Sequence, residues 1–151
     1  MAGVKYLFLI LTFSALRSYG QTDEEGVKTT INRFFEGMRT ADSALIKSTL
    51  APSVVFQTIM RKKDGATAVH TGDVQQFISS VTEPHPEVYD ERITFDAIKV
   101  DAALAHAWTP YKFYVGTTFS HCGVNSFQLV KLEGGWKIQY IIDTRRKENC
   151  L

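Results

Sequence analysis

The sequence predicts an α+β fold, and three observations lead to that class. Apolar residues recur at helical spacing in the first half of the chain. From about Tyr89 to Thr144 four long stretches rich in β-formers follow one another. Gly116 and Gly134-Gly135 stand between these stretches, where hairpin turns need positive φ. Helices first and a continuous meander last describe a strongly bent antiparallel sheet wrapped around about three N-terminal helices. Such an arrangement commonly encloses a pocket.

The first twenty residues stand apart from that fold. Lys5 is a short positive segment, Tyr6 to Leu16 is an apolar run, and Ser18 and Gly20 are small residues before Gln21. This is the pattern of a secretory signal peptide cut near Gly20-Gln21. The run is well short of the ~20 residues that span a bilayer, and Arg17 ends it. The expected organisation is a signal peptide at 1–20 and one domain at 21–151, exported to the periplasm or beyond. No membrane association is expected after cleavage.

Within that domain, Asp23 reads as an N-cap, followed by Glu24 and Glu25 in the first turn. Val27, Ile31, Phe34, Phe35 and Met38 then form one apolar helical face. Asp42 caps a shorter helix that buries Leu45, Ile46 and Leu50, and Pro52 stops it. Ser53 to Met60 reads as a strand, and Thr67 to His70 as its returning partner across Lys62–Gly65. Asp73 caps a third helix from Val74 to about Val81, and the proline-containing segment Thr82–Pro86 is a loop.

The meander comprises four predicted strands: one from Tyr89 to about Lys99, then Ala103–Val115, Thr118–Lys131 and Trp136–Thr144. Pairing the second and third across Gly116-Thr117 sets Trp108 opposite Asn125 and His106 opposite Phe127. One face would then hold His106, Trp108, Tyr114, Phe119, His121, Asn125 and Phe127, and the other Tyr111, Phe113, Cys122 and Val124. A one-residue slip or a β-bulge would exchange these sets. Glu91 is expected opposite Lys112 as a surface pair.

Composition excludes several functions. The formal net charge is +1, with 17 basic and 16 acidic residues and no basic stripe, so no nucleic-acid partner is expected. The chain has 2 cysteines, an even count that permits one disulfide in an exported protein. A hairpin at Glu133–Gly135 would place Cys122 near Arg145 or Arg146, a few residues from Cys150. The expectation is a Cys122–Cys150 bridge, the alternative two free thiols. No metal site is expected, because His70, His85 and His106 are scattered and no His/Cys cluster accompanies the cysteines. GxSxG, HExxH, P-loop and GxGxxG patterns are absent from the sequence, and no cofactor is expected.

With this order of elements, the chain from about Asp23 to Thr144 resembles the nuclear transport factor 2-like superfamily, the cone-shaped α+β fold shared with SnoaL-type cyclases and ketosteroid isomerases. The segments GGWKIQYIIDTRR at Gly134–Arg146 and FSHCGVNSFQLVK at Phe119–Lys131 resemble exported bacterial members. Some of those members carry a lumazine-binding label. The resemblance implies the fold; it also implies a homodimer formed through the open face of the sheet. It leaves function open, because this fold hosts enzymes, carriers and interaction modules.

His121 and Asp143 are the candidate catalytic pair. His121 would be a base oriented by Asp143, and Tyr111, Tyr114 or Tyr140 would donate to an oxyanion. The competing reading is a strand histidine satisfied by its neighbours, with Asp143 paired to Arg145. Phe56, Trp108, Tyr114, Phe119 and Phe127 are candidate pocket walls, with Asn125 and His121 as the polar groups. Such a pocket suits a small, flat, apolar or aromatic molecule. The favoured function is therefore small-molecule binding without catalysis. The alternatives are a cofactor-independent isomerase, dehydratase or cyclase, and a non-catalytic dimeric interaction module.

Overall fold

The computed structural model describes Thr22 to Cys150; the expected signal peptide lies outside the described residues. Three helices and seven strands follow in the order α1 (Asp23–Arg39), α2 (Ser43–Thr49), β1 (Leu50–Arg61), β2 (Thr67–Gly72), α3 (Val74–Thr82), β3 (Tyr89–Ile93), β4 (Ala97–Asp101), β5 (Leu104–Val115), β6 (Thr118–Leu132) and β7 (Gly135–Arg146). The α+β class and its cone-like form are those the sequence predicts.

Helix α1 is capped by Thr22, whose side chain accepts from the Glu25 amide. The expected cap, Asp23, is instead the first helical residue, and its carboxylate accepts from Trp136 Nε1 at 3.2 Å and from Lys131. The predicted apolar face of α1 is buried throughout, from Val27 to Met38. Asp42 and Asp73 cap α2 and α3 through the Leu45 and Gln76 amides. Leu50 does not belong to α2 but opens β1, and Pro52 falls within β1 rather than ending the helix. The ladder between β1 and β7 is irregular between Leu50 and Val55, which accommodates a residue without an N–H.

The sheet runs β2-β1-β7-β6-β5-β3, with β4 also on β5. It is mixed rather than wholly antiparallel, because β1 and β7 run parallel. The first predicted meander strand is two strands, β3 and β4. Thr94 and Asp96 still donate to the Pro110 and Trp108 carbonyls across the break. Helix α1 lies on the inner face, where Phe35 meets Phe127 edge-on at 6.0 Å and Phe34 meets Phe56 at 6.0 Å.

Two bulges decide which side chains face inward. In the β5–β6 ladder Trp108 pairs with Ser126 and His106 with Gln128, one residue from the predicted register. The predicted register holds only at the hairpin end, where Tyr114 pairs with Phe119 and Val115 with Thr118. Between Phe113–His121 and Tyr114–Phe119 the ladder shifts by one residue, with Ser120 as the extra. A bulge of this kind switches every side chain beyond it to the other face. The β6–β7 ladder shifts likewise between Gln128 and Leu129, with Gln139 the unpaired residue.

Cys122 and Cys150 form a disulfide, with Cα atoms 5.8 Å apart, that holds the segment after β7 against β6. Cys122 itself is buried, opposite Arg146 on β7.

Thr109 on β5 is fully buried, and its hydroxyl has no hydrogen-bond partner among the described residues. Thr109→Val keeps the shape and removes the stranded donor. Thermal melts are expected to show the variant unchanged or stabilised by up to about 1 kcal/mol.

Candidate functional site

A cavity of about 830 Å³ opens between the inner face of the sheet and helices α1 and α3. This volume is within the range of small-ligand sites. Phe34, Phe35 and Met38 come from α1, Phe77 and Val81 from α3, and Phe56, Phe127 and Ile141 from the sheet. Phe34 and Phe77 stack with ring centroids 5.9 Å apart, and Phe56 meets Phe77 edge-on at 5.2 Å. These contacts fix the aromatic wall in place.

Polar groups gather where β3, β5, β6 and β7 face the same cavity. Asp143 is nearly buried and accepts from Thr58 at 2.5 Å, from Arg145 Nε at 2.9 Å and from the Tyr111 hydroxyl at 3.3 Å. Tyr111 also donates to the Thr144 carbonyl at 3.0 Å. Glu91 accepts through Oε1 from Asn125 Nδ2 at 2.8 Å. Asn125 is itself buried. Alternation explains the grouping: Tyr89 and Glu91 point inward from β3, and Asp143 and Arg145 from β7.

Electrostatics distinguishes the members of this cluster. Burial pushes the Glu91 carboxyl up to about 7, with the Asp143 charge adding to the rise and the Asn125 hydrogen bond and Arg145 opposing it. Burial likewise holds the Tyr111 phenol protonated well above its ordinary range, reinforced by Glu91 and Asp143. His121 is depressed below the ordinary histidine value, by burial first and then by the Arg145 and Lys147 charges, against the pull of Asp143.

The Glu91 shift carries a stability consequence. An unfolded glutamate releases its proton near 4.5, the folded one near about 7, so the folded chain holds the extra proton between those values. The stability this contributes is complete below about 4.5 and is lost as pH rises through about 7. Glu91→Gln, which cannot ionise, is expected to exceed the wild type by about 1–2 kcal/mol at alkaline pH. Urea melts should show the difference closing in acid.

Of the residues that the sequence nominates, Phe56, His121, Asn125 and Phe127 line the cavity. Trp108, Tyr114 and Phe119 do not. The bulge at Ser120 leaves them on the outer face, where Trp108 and Phe119 are each 40% exposed and Tyr114 meets Phe119 edge-on at 5.9 Å. His121 and Asp143 both face the cavity but share no hydrogen bond. The His121 ring lies instead against Tyr111 and Phe113, and its Nδ1 meets the Ser120 hydroxyl at 3.0 Å. Of the tyrosines considered as donors, Tyr111 faces inward, whereas Tyr140 donates to Gln57 at 2.6 Å and is absent from the cavity wall.

Two polar residues of the cluster, Glu91 and Thr58, escape a reading by residue type. Glu91 is not a surface partner of Lys112; it pairs with Phe113 in the ladder, and Lys112 pairs with Arg92. Thr58 attracts no attention in a β-branched run, whereas the Arg145–Asp143 pair is the one the competing sequence reading names, with Arg145 otherwise exposed. One signal was present: Asp143 and Arg145 are two apart in a strand and therefore share a face. No His, Cys, Asp or Glu group among the described residues could hold a metal ion.

Solved structures similar to this one share its fold. An NTF2-like protein of unknown function from Shewanella baltica OS155 superposes with a TM-score of 0.62 at 15% identity, over 83% of this chain and 94% of the other. A cystatin-like-fold domain from Nostoc punctiforme PCC 73102 gives 0.64 at 14% identity, over 84% and 79%. A structure named as a putative dehydratase from the NTF2-like family of Streptomyces avermitilis gives 0.63 at 14% identity, over 82% and 96%. No curated protein matches the chain. A family model described as "Putative lumazine-binding" matches residues 22–140, and the chain, NTF2-like in fold, belongs to that family.

Proposed function

We propose that this is an exported small-molecule-binding protein whose ligand occupies the cavity between α1, α3 and the sheet. One observation carries the reading: a cavity of about 830 Å³ that is aromatic along α1 and α3 and polar along β3, β6 and β7. That division suits a flat bicyclic ligand, with stacking faces toward the phenylalanines and polar edge atoms toward Glu91, Asn125 and Asp143. Lumazine, a pteridine dione named in the family description, has this character. The Cys122–Cys150 disulfide is consistent with an oxidising compartment. Trp108 and Phe119, exposed on the outer face, support a homodimer through that face.

Native mass spectrometry of the protein purified from its own host tests the binding reading. A reproducible small mass that leaves on denaturation is expected. A clean ligand-free mass, together with no binding of lumazine or related bicyclic heteroaromatics at millimolar concentration, would overturn it. For the dimer, Trp108→Asp is expected to shift the sedimentation coefficient to that of the monomer.

A further inference from the structure

We infer that Glu91 is the specificity group of the cavity, and that it selects flat heteroaromatic molecules presenting an N–H donor edge over acids and over donor-free rings. The inference rests on the binding reading above and adds the chemical class of the ligand. Its basis is the contrast among the three cavity carboxylates, of which Asp73 caps α3 through the Gln76 amide. Asp143 accepts from Thr58 on Oδ1, and on Oδ2 from Arg145 and from the Tyr111 proton that the Thr144 carbonyl shares, so it is far more heavily engaged by the protein than Glu91. Glu91 accepts one, from Asn125, on Oε1. Its Oε2 has no hydrogen-bond partner among the described residues, and the residue lines the cavity. A half-buried carboxyl with an uncommitted oxygen gains most from a ligand that brings a donor to it and excludes water around it.

The neighbouring groups fit this assignment. Asn125 holds Glu91 from β6, which orients the carboxyl before any ligand arrives. Of the two arginines on the cavity wall, Arg145 is paired with Asp143 through Nε, and Arg61 lies at the exposed end of β1, away from the β3–β5 ladder that holds Glu91. Tyr111 directs its hydroxyl proton to Asp143 and Thr144. Tyr89 and Phe113, with ring centroids 5.9 Å apart, flank Glu91 on the cavity wall and offer an edge or face to a ring seated there. An amidine-type edge, with adjacent N–H groups in the plane of an aromatic ring, matches a carboxyl in this setting.

Calorimetric titration of three bicyclic probes at mildly alkaline pH tests the assignment: 2-aminobenzimidazole, benzofuran and benzofuran-2-carboxylate. The wild type is expected to bind 2-aminobenzimidazole at least about tenfold more tightly than benzofuran, with the carboxylate weakest. In Glu91→Gln the preference for the amine is expected to fall by about tenfold while benzofuran affinity holds. Equal binding of benzofuran and the amine, tightest binding of the acid, or an unchanged preference in Glu91→Gln would each overturn the role of Glu91. Each of those outcomes would leave the small-molecule reading standing. Failure of all three probes to bind would overturn both.

Discussion

Gly123→Ala is expected to destabilise the protein by about 3 kcal/mol or more, at the upper end of what overpacking costs. Gly123 is buried in β6, opposite Tyr111 on β5 and Arg145 on β7. A Cβ added there would stand 1.8 Å from the Thr144 carbonyl oxygen and 2.7 Å from Tyr111 Cε1. The first obstacle is backbone, so rotamer changes cannot relieve it and the strands must part. The obstructing groups also belong to the cavity cluster, because the Tyr111 hydroxyl bonds both Thr144 and Asp143. Loss of stability and loss of any cavity ligand should therefore appear together. Urea denaturation checks the first effect; a midpoint close to wild type would mean that β6 and β7 do not approach as described.

Removal of the Cys122–Cys150 disulfide is the second large effect. The bridge closes a loop with a sequence separation of 28. Restricting the unfolded chain over such a loop is worth about 3–4 kcal/mol in the loop-entropy account. Cys150→Ser is the cleaner variant, since Cys150 lies partly exposed beyond β7 while Cys122 is buried in β6. The expected result is a loss of about 2–4 kcal/mol with the fold retained. Chemical denaturation of the wild type with and without a reductant gives the same comparison without substitution. An unchanged midpoint would show that the tail contributes nothing to the folded core.

The residues that fix the fold are those whose signals are local. The apolar spacing of Val27 to Met38 specifies the buried face of α1, and Asp42 and Asp73 mark the starts of α2 and α3. Gly116 has φ of 59° and lies beside the Val115–Thr118 pair, and Gly134 and Gly135 have φ of 87° and 109° at the last hairpin. Each is a turn that a side chain would strain. The parallel pairing of β1 with β7 left no such mark, because it joins segments far apart in the chain.

The site was legible only in part, for a physical reason confined to a few residues. The facing of a strand follows from a count of two, and one extra residue reverses it. Ser120 is that residue. It carries no turn signature, yet it places Phe119 outside and leaves His121 inside. Glu91 was hidden differently. A glutamate among Asp90 and Arg92 reads as one of a row of surface charges, and only the register of β3 on β5 brings it beneath Asn125. Burial of a charge-bearing side chain is a tertiary fact without a local sequence pattern.

The most direct test of the central claim is a methyl-resolved NMR titration with a bicyclic heteroaromatic. Neither tryptophan belongs to the cavity wall, so tryptophan fluorescence is the wrong reporter. Ile141, Met38 and Val81 line the cavity, whereas Ile142 and Val130 do not. Saturable shifts in the first three, with Ile142 and Val130 unmoved, are the predicted result. Shifts confined to the outer face, or no shift in any cavity methyl at millimolar ligand, would contradict the assignment of this cavity as the functional site.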